Sequence, residues 1–371
     1  MHASSTRVRV DLGPRSYDIL VGSELLDQVG RVIADLGRTT HAWIASDKHV
    51  ATWYLSRVCD SLKECGIRTD TWVVPAGEPS KSLETAAAGW QSLIESHADR
   101  GTVVAALGGG VVGDLAGFLA ATYARGLRFF QIPTSLLAQV DSSVGGKVGI
   151  NLPQAKNMVG AFHQPVGVVA DVGTLRTLPP REYASGLGEV VKYGMILDAP
   201  FFAQLEAEAE ALLRRDAEVL CRIVARCCRL KADVVEQDER EESGLRAVLN
   251  YGHTFAHAFE TLTGYGVWLH GEAVAAGMHC AAVLAAQLGL LSPEVVGRQA
   301  ELLRRLGLPV HPPKLAPQEV VACMMHDKKV RHGQLRLVLP TEIGHVTLVD
   351  AVSPEQVAAA LRAAAERESV S

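Results

Sequence analysis

Three histidines and one glutamate in the second half of the sequence are spaced for metal binding. His253 and His257 are four residues apart, so on a helix both side chains lie on one face. His270 begins another helical stretch after a turn at 264–266, and Glu189 lies on a third. Two imidazoles and a carboxylate from separate helices leave coordination positions open, as a catalytic zinc requires. Spacing alone does not decide whether His253 pairs with His270 or with His257, and a single histidine here is more often an ordinary surface or core residue.

A glycine-rich turn in the first half predicts a nucleotide site. The apolar run Thr102–Leu107 leads into Gly108-Gly-Gly-Val-Val-Gly-Asp114 and then into a helix rich in small residues. A strand, a glycine turn and a helix N-terminus bring backbone N–H groups and the positive end of the helix dipole to a phosphate. The dinucleotide pattern is weak alone, and no acidic residue follows at the usual distance. A tight turn without a ligand is therefore the alternative.

Polar residues after neighbouring strands favour the nucleotide site over a bare turn. Asp47 follows one apolar run, Gly77–Lys81 follows the next, and Pro133–Ser135 follows a third. In open α/β sheets such strand ends line the ligand crevice.

Two patterns of apolar residues divide the chain. Up to about residue 175, short runs rich in β-branched residues alternate with helical stretches, which predicts βαβ units and a mostly parallel sheet. After Pro179-Pro180 the apolar residues recur at the helical period, over 184–197, 207–236, 246–262 and 272–290. The predicted strands are Arg7–Val10, His41–Ala45, Thr71–Val74, Thr102–Leu107, Arg128–Ile132 and Gly167–Ala170. Ser353-Pro354-Glu355-Gln356 has the pattern of a capped helix start.

The composition is typical of a soluble globular protein and excludes several classes of partner. Lys+Arg 36 against Asp+Glu 41 gives a net charge of −5, so the basic excess that attracts nucleic acid or anionic membranes is missing. The apolar segment 273–291 is interrupted by His279 and Gln287, which favours a buried helix over a membrane span. No secretion signal is recognisable. Seven cysteines without a C-x-x-C pair predict a reduced, cytoplasmic protein.

The few lysines cluster in the segments that carry motifs. Only ten of the 36 basic residues are lysine. In a chain that favours arginine, a lysine indicates a position that requires a compact ammonium group. A basic cluster in an acidic protein fits a small, multiply charged anion better than a polymer. The lysines in question are Lys81, Lys147, Lys156, Lys192, Lys231, Lys328 and Lys329.

Taken together, these segments closely resemble the 3-dehydroquinate synthase family of sugar phosphate cyclases, over nearly the whole chain. Departures from the family pattern are small; one is Tyr251, where leucine is common, and another is a residue inserted near Glu241-Glu242. The matching strings are Gly77–Ser82, Leu107–Asp114, Pro133–Lys147, Gly149–Asn151, Lys156–Phe162, Gly188–Gly194, Lys231–Val235, Leu245-Arg246, Asn250–His253, His270–Glu272 and Asp327–Lys329.

The resemblance implies a fold, two cofactors and a set of site residues. It implies an α/β Rossmann-like NAD-binding domain over 1–178 and an all-α metal- and substrate-binding domain over 179–371, in a homodimer. A divalent metal, zinc or cobalt, is implied at Glu189, His253 and His270. The implied NAD contacts, with Asp47 added from its strand end, are Gly77, Glu78, Lys81, Gly109, Gly110, Val111, Val112, Gly113, Asp114, Thr134, Ser135, Lys147, Lys156, Thr174, Leu175, Arg176 and Thr177.

The remaining implied residues bind or transform the substrate. The catalytic residues implied are Lys147, Lys192, His257, Asp141 and Asn250, with His257 expected to relay protons near the metal. The implied substrate-binding residues are Arg125, Lys147, Lys156, Asn157, Lys231, Arg246 and Lys328, of which Lys231 and Arg246 match residues that read a carboxylate.

The implied reaction converts 3-deoxy-D-arabino-heptulosonate 7-phosphate into 3-dehydroquinate and phosphate, in the shikimate pathway of aromatic amino acid biosynthesis. NAD oxidises a ring carbinol, the ketone acidifies the neighbouring C–H, phosphate leaves, the hydride returns, and an intramolecular aldol step closes the carbocycle. A metal that acts as a Lewis acid suits this sequence of steps.

Three alternatives remain at this point. A metal-dependent polyol dehydrogenase has the same predicted domain organisation, but it needs no residues that bind a phosphate or a carboxylate. A sister cyclase would act on the amino analogue of the substrate or on sedoheptulose 7-phosphate. A nucleotide sensor without catalytic activity would have no need of intact metal and lysine sets.

Overall fold

The computed structural model describes residues 5–153, 155–325 and 335–366, and these form two compact units. The first unit comprises the chain up to residue 178 together with 217–240, and the second comprises 179–216 and the chain from 241 onwards. The sequence prediction placed one boundary after residue 178, whereas in the structure the chain crosses between the units three times.

A seven-stranded sheet with the order β1-β2-β9-β6-β5-β3-β4 forms the centre of the first unit. Only the β1–β2 pair is antiparallel, and the other pairs are parallel. All six predicted strands are confirmed, while β2 and the antiparallel hairpin β7–β8 were not predicted. The strands of this unit are β1 Thr6–Val10, β2 Tyr17–Gly22, β3 His41–Asp47, β4 Arg68–Val74, β5 Val103–Gly108, β6 Arg128–Pro133, β7 Lys147–Leu152, β8 Ala155–Phe162 and β9 Gly167–Asp171.

Helices cover both faces of this sheet, which explains why its central strands are apolar at successive positions. Trp43 on β3 packs into the core formed with α4 and α5, and its neighbour Ile44 packs into the core formed with α1 and α3. Every residue of β5 is buried, as expected for a parallel strand covered on both faces. The helices are α1 Val29–Asp35, α2 Lys48–Val50, α3 Ser56–Glu64, α4 Leu83–Glu95 and α5 Gly110–Thr122, with a π-helical segment Ala51–Leu55 between α2 and α3.

One long helix from the predicted second domain belongs to the first unit. Helix α8, Ala217–Gln237, packs against β1 and β2. Glu236 accepts a hydrogen bond of 2.8 Å from the backbone N–H of Asp11, and Lys231 on the same helix bonds Asp141 of the first unit. Periodicity predicted the helix, but it carries no information about which unit the helix packs against.

The second unit is helical, with one addition to the predicted all-α domain. An antiparallel hairpin, β10 Leu335–Glu342 and β11 His345–Val352, accompanies the helices. The predicted stretch 207–236 is interrupted, because Arg215 has a φ of 56° between α7 and α8. The predicted capping box at Ser353 is confirmed. The helices are α6 Pro180–Leu197, α7 Ala199–Leu213, α9 His253–Thr263, α10 His270–Gln287, α11 Pro293–Arg305, α12 Pro317–Met325 and α13 Pro354–Ala365.

Helix α10 is the core of the second unit. It packs against α6, α9, α11, α13 and β10, and most of its residues are buried. This confirms the prediction of a buried domain helix over the apolar segment 273–291. Among the described residues, no helix is both long and apolar enough to cross a membrane.

Candidate functional site: a three-helix metal centre and a glycine-turn cradle

Glycines set the close crossing of the three helices that carry the predicted metal ligands. A Cβ atom on Gly188 of α6 would lie 2.6 Å from the carbonyl oxygen of Gly271 on α10. A Cβ atom on Gly277 of α10 would lie 2.3 Å from the carbonyl oxygen of Gly252, the residue before α9. Side chains at these positions would force the backbones apart. The glycines therefore bring α6 and the start of α9 into backbone contact with α10.

Glu189, His253 and His270 converge as a result of these crossings. The Glu189 side chain is buried, and its Oε1 lies 3.6 Å from His253 Nε2 and 3.8 Å from His270 Nε2. One ligand atom from each residue lies within 4.8 Å of the others. Among the described residues, Glu189 Oε1 has no hydrogen-bond partner. A buried acceptor facing two imidazole nitrogens fits a divalent cation, and one oxygen with two nitrogens suits zinc or cobalt.

The second nitrogen of each imidazole is directed away from the centre. His253 Nδ1 lies 3.1 Å from the carbonyl oxygen of Tyr251 and donates to it, which leaves the Nε2 lone pair facing Glu189. His270 Nδ1 lies 3.6 Å from Glu260 Oε2. Burial disfavours the charged ring of His270, but the Glu260 and Glu189 carboxylates outweigh it and raise the pKa of His270. Both rings thus present Nε2 to the same point.

His257 lies outside this group, although it shares a helix face with His253. Its ring centroid is 5.9 Å from that of His253, and its side chain is exposed. The arrangement therefore selects His253 with His270 from the two pairs that spacing left open.

Lys192 lies one turn after Glu189 and balances its charge. Both side chains are buried, and Lys192 Nζ forms an ion pair with Glu189 Oε2. The ammonium also lies 5.3 Å from the centroid of the Tyr193 ring. The ion pair engages one carboxylate oxygen and leaves the other directed at the two histidines.

The glycine turn between β5 and α5 is confirmed, and its glycines allow close approach. A Cβ atom on Gly113 would lie 2.9 Å from Gln131 Oε1, and one on Gly110 would lie 3.1 Å from Ser142 Oγ. Gly109 occupies the N-cap position and has no side chain, so it cannot accept a hydrogen bond from the first backbone N–H groups of α5. These donors and the helix dipole suit a phosphate group.

A polar network lies beside this turn. Lys81 is buried, and its Nζ donates to Asp114 Oδ2 at 2.7 Å and to Asn157 Oδ1 at 2.6 Å. Asn151 donates to Glu78 Oε1 at 2.7 Å and accepts from the Asn157 backbone N–H at 2.9 Å. Burial raises the pKa of Asp114, against the effect of Lys81. The network ties the segment after β4 to α5 and to the hairpin β7–β8.

Other predicted NAD contacts lie at the carboxyl ends of strands, and several of their polar groups bond within the protein. Asp47 follows β3 and accepts hydrogen bonds from the backbone of His49 and Val50. Thr174 follows β9 and is buried, and its hydroxyl donates to the Asp171 carbonyl at 2.7 Å. Thr177 Oγ1 lies 2.7 Å from the Tyr54 hydroxyl. These groups shape the edge of the sheet by internal hydrogen bonds.

The predicted substrate residues are distributed over both units. In the first, Lys231 is buried and its Nζ donates to the backbone oxygen of Asp141 at 2.7 Å and to Oδ1 at 2.8 Å. In the second, Arg246 is buried with its Nε 3.6 Å from Glu241 Oε1. Lys328 lies outside the described residues. The remaining predicted residues are Arg125 and Lys147, which are exposed, Asn157, which is exposed with a φ of 55°, and Lys156 and Asn250, which are half-buried.

Models of two protein domains match the chain. The 3-dehydroquinate synthase N-terminal model matches residues 71–185 and the C-terminal model matches residues 186–330. The chain belongs to the 3-dehydroquinate synthase family.

Two curated members of the 3-dehydroquinate synthase family match nearly the whole chain. The 3-dehydroquinate synthase of Desulforamulus reducens is 49% identical over 355 residues, which cover 95% of this chain and 99% of that protein. The 3-dehydroquinate synthase of Rhodopirellula baltica is 48% identical over 362 residues, 96% of each chain.

Solved structures extend the likeness to other cyclases. The 2-epi-5-epi-valiolone synthase of Streptomyces hygroscopicus, with NAD+ and Zn2+ bound, has a TM-score of 0.87 and 29% identity over 95% of this chain and 97% of that one. A 2-deoxy-scyllo-inosose synthase complexed with carbaglucose-6-phosphate, NAD+ and Co2+ has a TM-score of 0.86 and 26% identity over 96% and 99%. A probable glycerol dehydrogenase from Sinorhizobium meliloti, at a TM-score of 0.59, 16% identity and coverage of 92% and 95%, shares the fold.

Sequence reasoning missed the residues that position the ligands. Glu189, His253 and His270 each adjoin a glycine in the sequence, and these three glycines, Gly188, Gly252 and Gly271, are the points of helix contact. A small residue beside each candidate ligand was a signal available from the sequence. Tyr251 and Glu260, which face the outer nitrogens of the two imidazoles, had no such signal, because their role depends on the folded backbone.

Proposed function

We propose that the protein is a 3-dehydroquinate synthase, a carbon–oxygen lyase that converts 3-deoxy-D-arabino-heptulosonate 7-phosphate into 3-dehydroquinate and phosphate, with NAD and one divalent metal. The observation that carries the proposal is the convergence of Glu189, His253 and His270 within 4.8 Å in a chain 49% identical to a curated member of the family. Glu189 Oε1 is a buried acceptor without a hydrogen-bond donor among the described residues, and a bound cation explains why two histidines from separate helices face it.

The metal ligands are Glu189 Oε1 and the Nε2 atoms of His253 and His270. When bound there, zinc or cobalt supplies a Lewis acid for a substrate oxygen. The two related cyclases have Zn2+ and Co2+, respectively, in their structures. The Tyr251 carbonyl holds the proton of His253 on Nδ1, so the neutral ring keeps its Nε2 lone pair for the metal.

Lys192 serves the same centre by its charge. Its ion pair with Glu189 offsets the cost of burying the carboxylate. An ammonium beside the metal ligands also stabilises negative charge that develops on a substrate oxygen, because a charge fixed in a buried site acts more strongly than it would in water.

The glycine turn and the Lys81 network form the NAD site. NAD, when bound, accepts a hydride and returns it within one catalytic cycle. The backbone N–H groups at the start of α5 bind the pyrophosphate, and Asp114 lies on the first turns of that helix. The hydrogen bonds from Lys81 to Asp114 and Asn157 hold the surrounding segments in place.

Cationic side chains select a substrate with a phosphate and a carboxylate. Lys231 is buried, and its ion pair with Asp141 offsets the cost of burying the ammonium group. Arg246 is a second buried cation and suits bidentate binding of a carboxylate. Lys147, Lys156 and Asn157 are assigned to the phosphate, together with Arg125, His257 and Lys328.

The family relationship separates this function from its alternatives. Curated relatives at 48–49% identity are 3-dehydroquinate synthases, whereas the two other cyclases are 26–29% identical. The likeness to a glycerol dehydrogenase at 16% identity concerns the fold alone. A homodimeric state and a cytoplasmic location are further inferences from family membership, and sedimentation velocity and cell fractionation test them.

A substrate comparison tests the proposal. The purified protein is supplied with NAD, Zn2+ or Co2+ and one of three phosphorylated sugars: the heptulosonate phosphate, its amino analogue or sedoheptulose 7-phosphate. Phosphate release is followed and the product is identified by mass spectrometry. We expect 3-dehydroquinate to be formed with a kcat/KM at least about a hundredfold above the value for sedoheptulose 7-phosphate, since a sugar without the carboxylate loses its interaction with Lys231 and Arg246. Preference for either other sugar would contradict the proposal.

A further inference from the structure

The buried hydroxyl of Tyr251 is not used by the proposed chemistry. The side chain is fully buried, and its Oη lies 3.0 Å from the carbonyl oxygen of Met278 and 2.7 Å from Gln299 Oε1. Gln299 on α11 is also fully buried. Burying the polar groups of a tyrosine and a glutamine in an apolar core costs free energy unless they are hydrogen-bonded. A polar pair at this position therefore requires an explanation.

The two contacts of the hydroxyl fix its hydrogen-bonding roles. A phenol has one proton, so it cannot donate to both neighbours. With Gln299 Oε1 facing the hydroxyl, one proton serves two acceptors, and Gln299 Nε2 has no hydrogen-bond partner among the described residues. Both contacts become hydrogen bonds when the amide is turned by 180°, so that Tyr251 donates to the Met278 carbonyl and accepts from the amide NH2 of Gln299. This amide orientation also gives the Gln299 nitrogen a partner. The hydroxyl then links the short segment that precedes the metal-ligand helix α9 to both α10 and α11.

The backbone of Tyr251 connects this link to the metal centre. Its carbonyl oxygen is the acceptor for His253 Nδ1, at 3.1 Å. Only Gly252 lies between the two residues, with a φ of 78°, and a Cβ atom there would lie 2.8 Å from the backbone nitrogen of Met278. Met278 therefore meets the backbone of Gly252 through its nitrogen and the side chain of Tyr251 through its oxygen. Met278 thus contacts the short segment that carries the Tyr251 carbonyl at both of its residues, Tyr251 and Gly252.

We propose that Tyr251, supported by Gln299, is a positioning residue that fixes the tautomer and direction of the metal ligand His253. This rests on the proposed function only in that Glu189, His253 and His270 bind a divalent metal. Outer partners of metal-bound histidines tune affinity by about 10–100-fold. The hydroxyl acts one residue further out, through the carbonyl, so its loss weakens metal binding by a smaller factor, about three- to tenfold.

The test is the metal affinity of Tyr251→Phe, with Tyr183→Phe as the matched control. Tyr183 is a buried tyrosine of the same unit whose hydroxyl donates to the Leu212 carbonyl at 2.7 Å, and neither Tyr183 nor Leu212 is within five residues of a predicted metal ligand in the sequence. Each protein is stripped of metal, and the Kd for Zn2+ is measured by competition with a chelating dye. The visible absorption spectrum of the Co2+ form is recorded as well. We expect Tyr251→Phe to weaken Zn2+ binding about three- to tenfold and to alter the Co2+ spectrum, and Tyr183→Phe to change neither.

The outcomes separate this inference from the proposed function. Equal Zn2+ affinity in Tyr251→Phe and the parent overturns the inference alone, as does equal weakening in both tyrosine variants. A parent protein that binds no divalent metal overturns both proposals. If Tyr251→Phe does not fold, Gln299→Met takes its place, because it removes the amide and keeps the bond to Met278. It should weaken Zn2+ binding in the same direction, and parent-like affinity there also overturns the inference.

Discussion

Glu189 Oε1 and His253 Nε2 face each other across 3.6 Å, too far apart for a hydrogen bond and close enough to share one ion. Two ligands about 2.0–2.1 Å from a tetrahedral zinc lie about 3.3 Å from each other. The side chains are thus within a few tenths of an ångström of ligating positions. This separation is set by the glycine contacts of α6 and α9 with α10, which are properties of the backbone.

Glu189→Gln should abolish metal binding. The substitution keeps the shape of the side chain and removes its charge, so the metal site loses its carboxylate ligand and Lys192 loses its counter-charge. We expect the Zn2+ affinity to fall by more than about a hundredfold and turnover to be lost. Metal content after dialysis measures this. Glu182→Gln on the same helix is the matched control, since Glu182 is exposed, and it should retain metal at the level of the parent.

Lys81→Met should reduce both stability and NAD affinity. The substitution leaves Asp114 without its 2.7 Å partner, and removal of one member of a buried pair typically costs about 3–5 kcal/mol. Because Asp114 keeps some exposure, we expect the lower end of that range. Thermal unfolding with and without NAD measures the loss, and the shift produced by NAD should shrink.

A second substitution distinguishes charge from packing at this site. Lys81→Met combined with Asp114→Asn removes the uncompensated carboxylate and should recover part of the lost stability. Lys63→Met is the surface control, because its pair with Asp60 is exposed. Equal destabilisation in the Lys63 and Lys81 variants would show that the Lys81 network has no special structural role.

Lys147→Met should abolish turnover without affecting the metal. Lys147 begins β7 and is assigned to the substrate phosphate, so its loss removes a cation that stabilises the leaving group. A well-placed donor of this kind contributes about 10²–10³ in kcat. Steady-state phosphate release and Zn2+ affinity are measured together. A fully active variant would rule out this role, and Lys48→Met, another exposed lysine, controls for loss of surface charge.

His279 should make the protein less stable as the pH falls from about 6.5 to 4. Burial, with the nearby positive charges of His311 and Arg304, lowers the pKa of His279 to about 4. The unfolded chain, with an ordinary pKa near 6.5, binds the proton first in this window, so protonation favours unfolding. The contribution is at most about 3 kcal/mol. His279→Leu should flatten the dependence of Tm on pH between about 4.5 and 7, whereas His49→Leu, at an exposed position, should leave it unchanged.

Much of the fold was predictable because its signals are local. Runs such as His41–Ala45 and Thr102–Leu107 are apolar at successive positions, since both faces of a parallel strand are buried. Strand β2 was missed, since it contains Asp18 and alternates between buried and half-buried residues up to Val21. Hairpin β7–β8 was interpreted only as a binding segment. The placement of α8 in the first unit could not be predicted, because it depends on contacts such as Glu236 with Asp11, 225 residues apart in the chain.

The site was predictable in its residue types and not in its geometry. Spacing on one helix placed His253 and His257 on a common face, but it could not decide which histidine faces Glu189. That choice depends on where α10 crosses α6 and α9, and the crossing depends on single glycines whose effect is visible only in three dimensions. The same holds for Lys81, whose partners Asp114 and Asn157 lie 33 and 76 residues further along the chain.

We expect NAD to act as a catalyst here and to be regenerated in every cycle. The most direct measurement supplies the metal-loaded protein with excess heptulosonate phosphate and with NAD at a small fraction of the substrate concentration. Phosphate release and absorbance at the NADH band are then followed in the same sample. We expect many phosphates to be released per NAD, no NADH to accumulate, and turnover to be lost when a chelator removes the metal. NADH formed in step with substrate consumption, or phosphate release that stops after one equivalent of NAD, would contradict it.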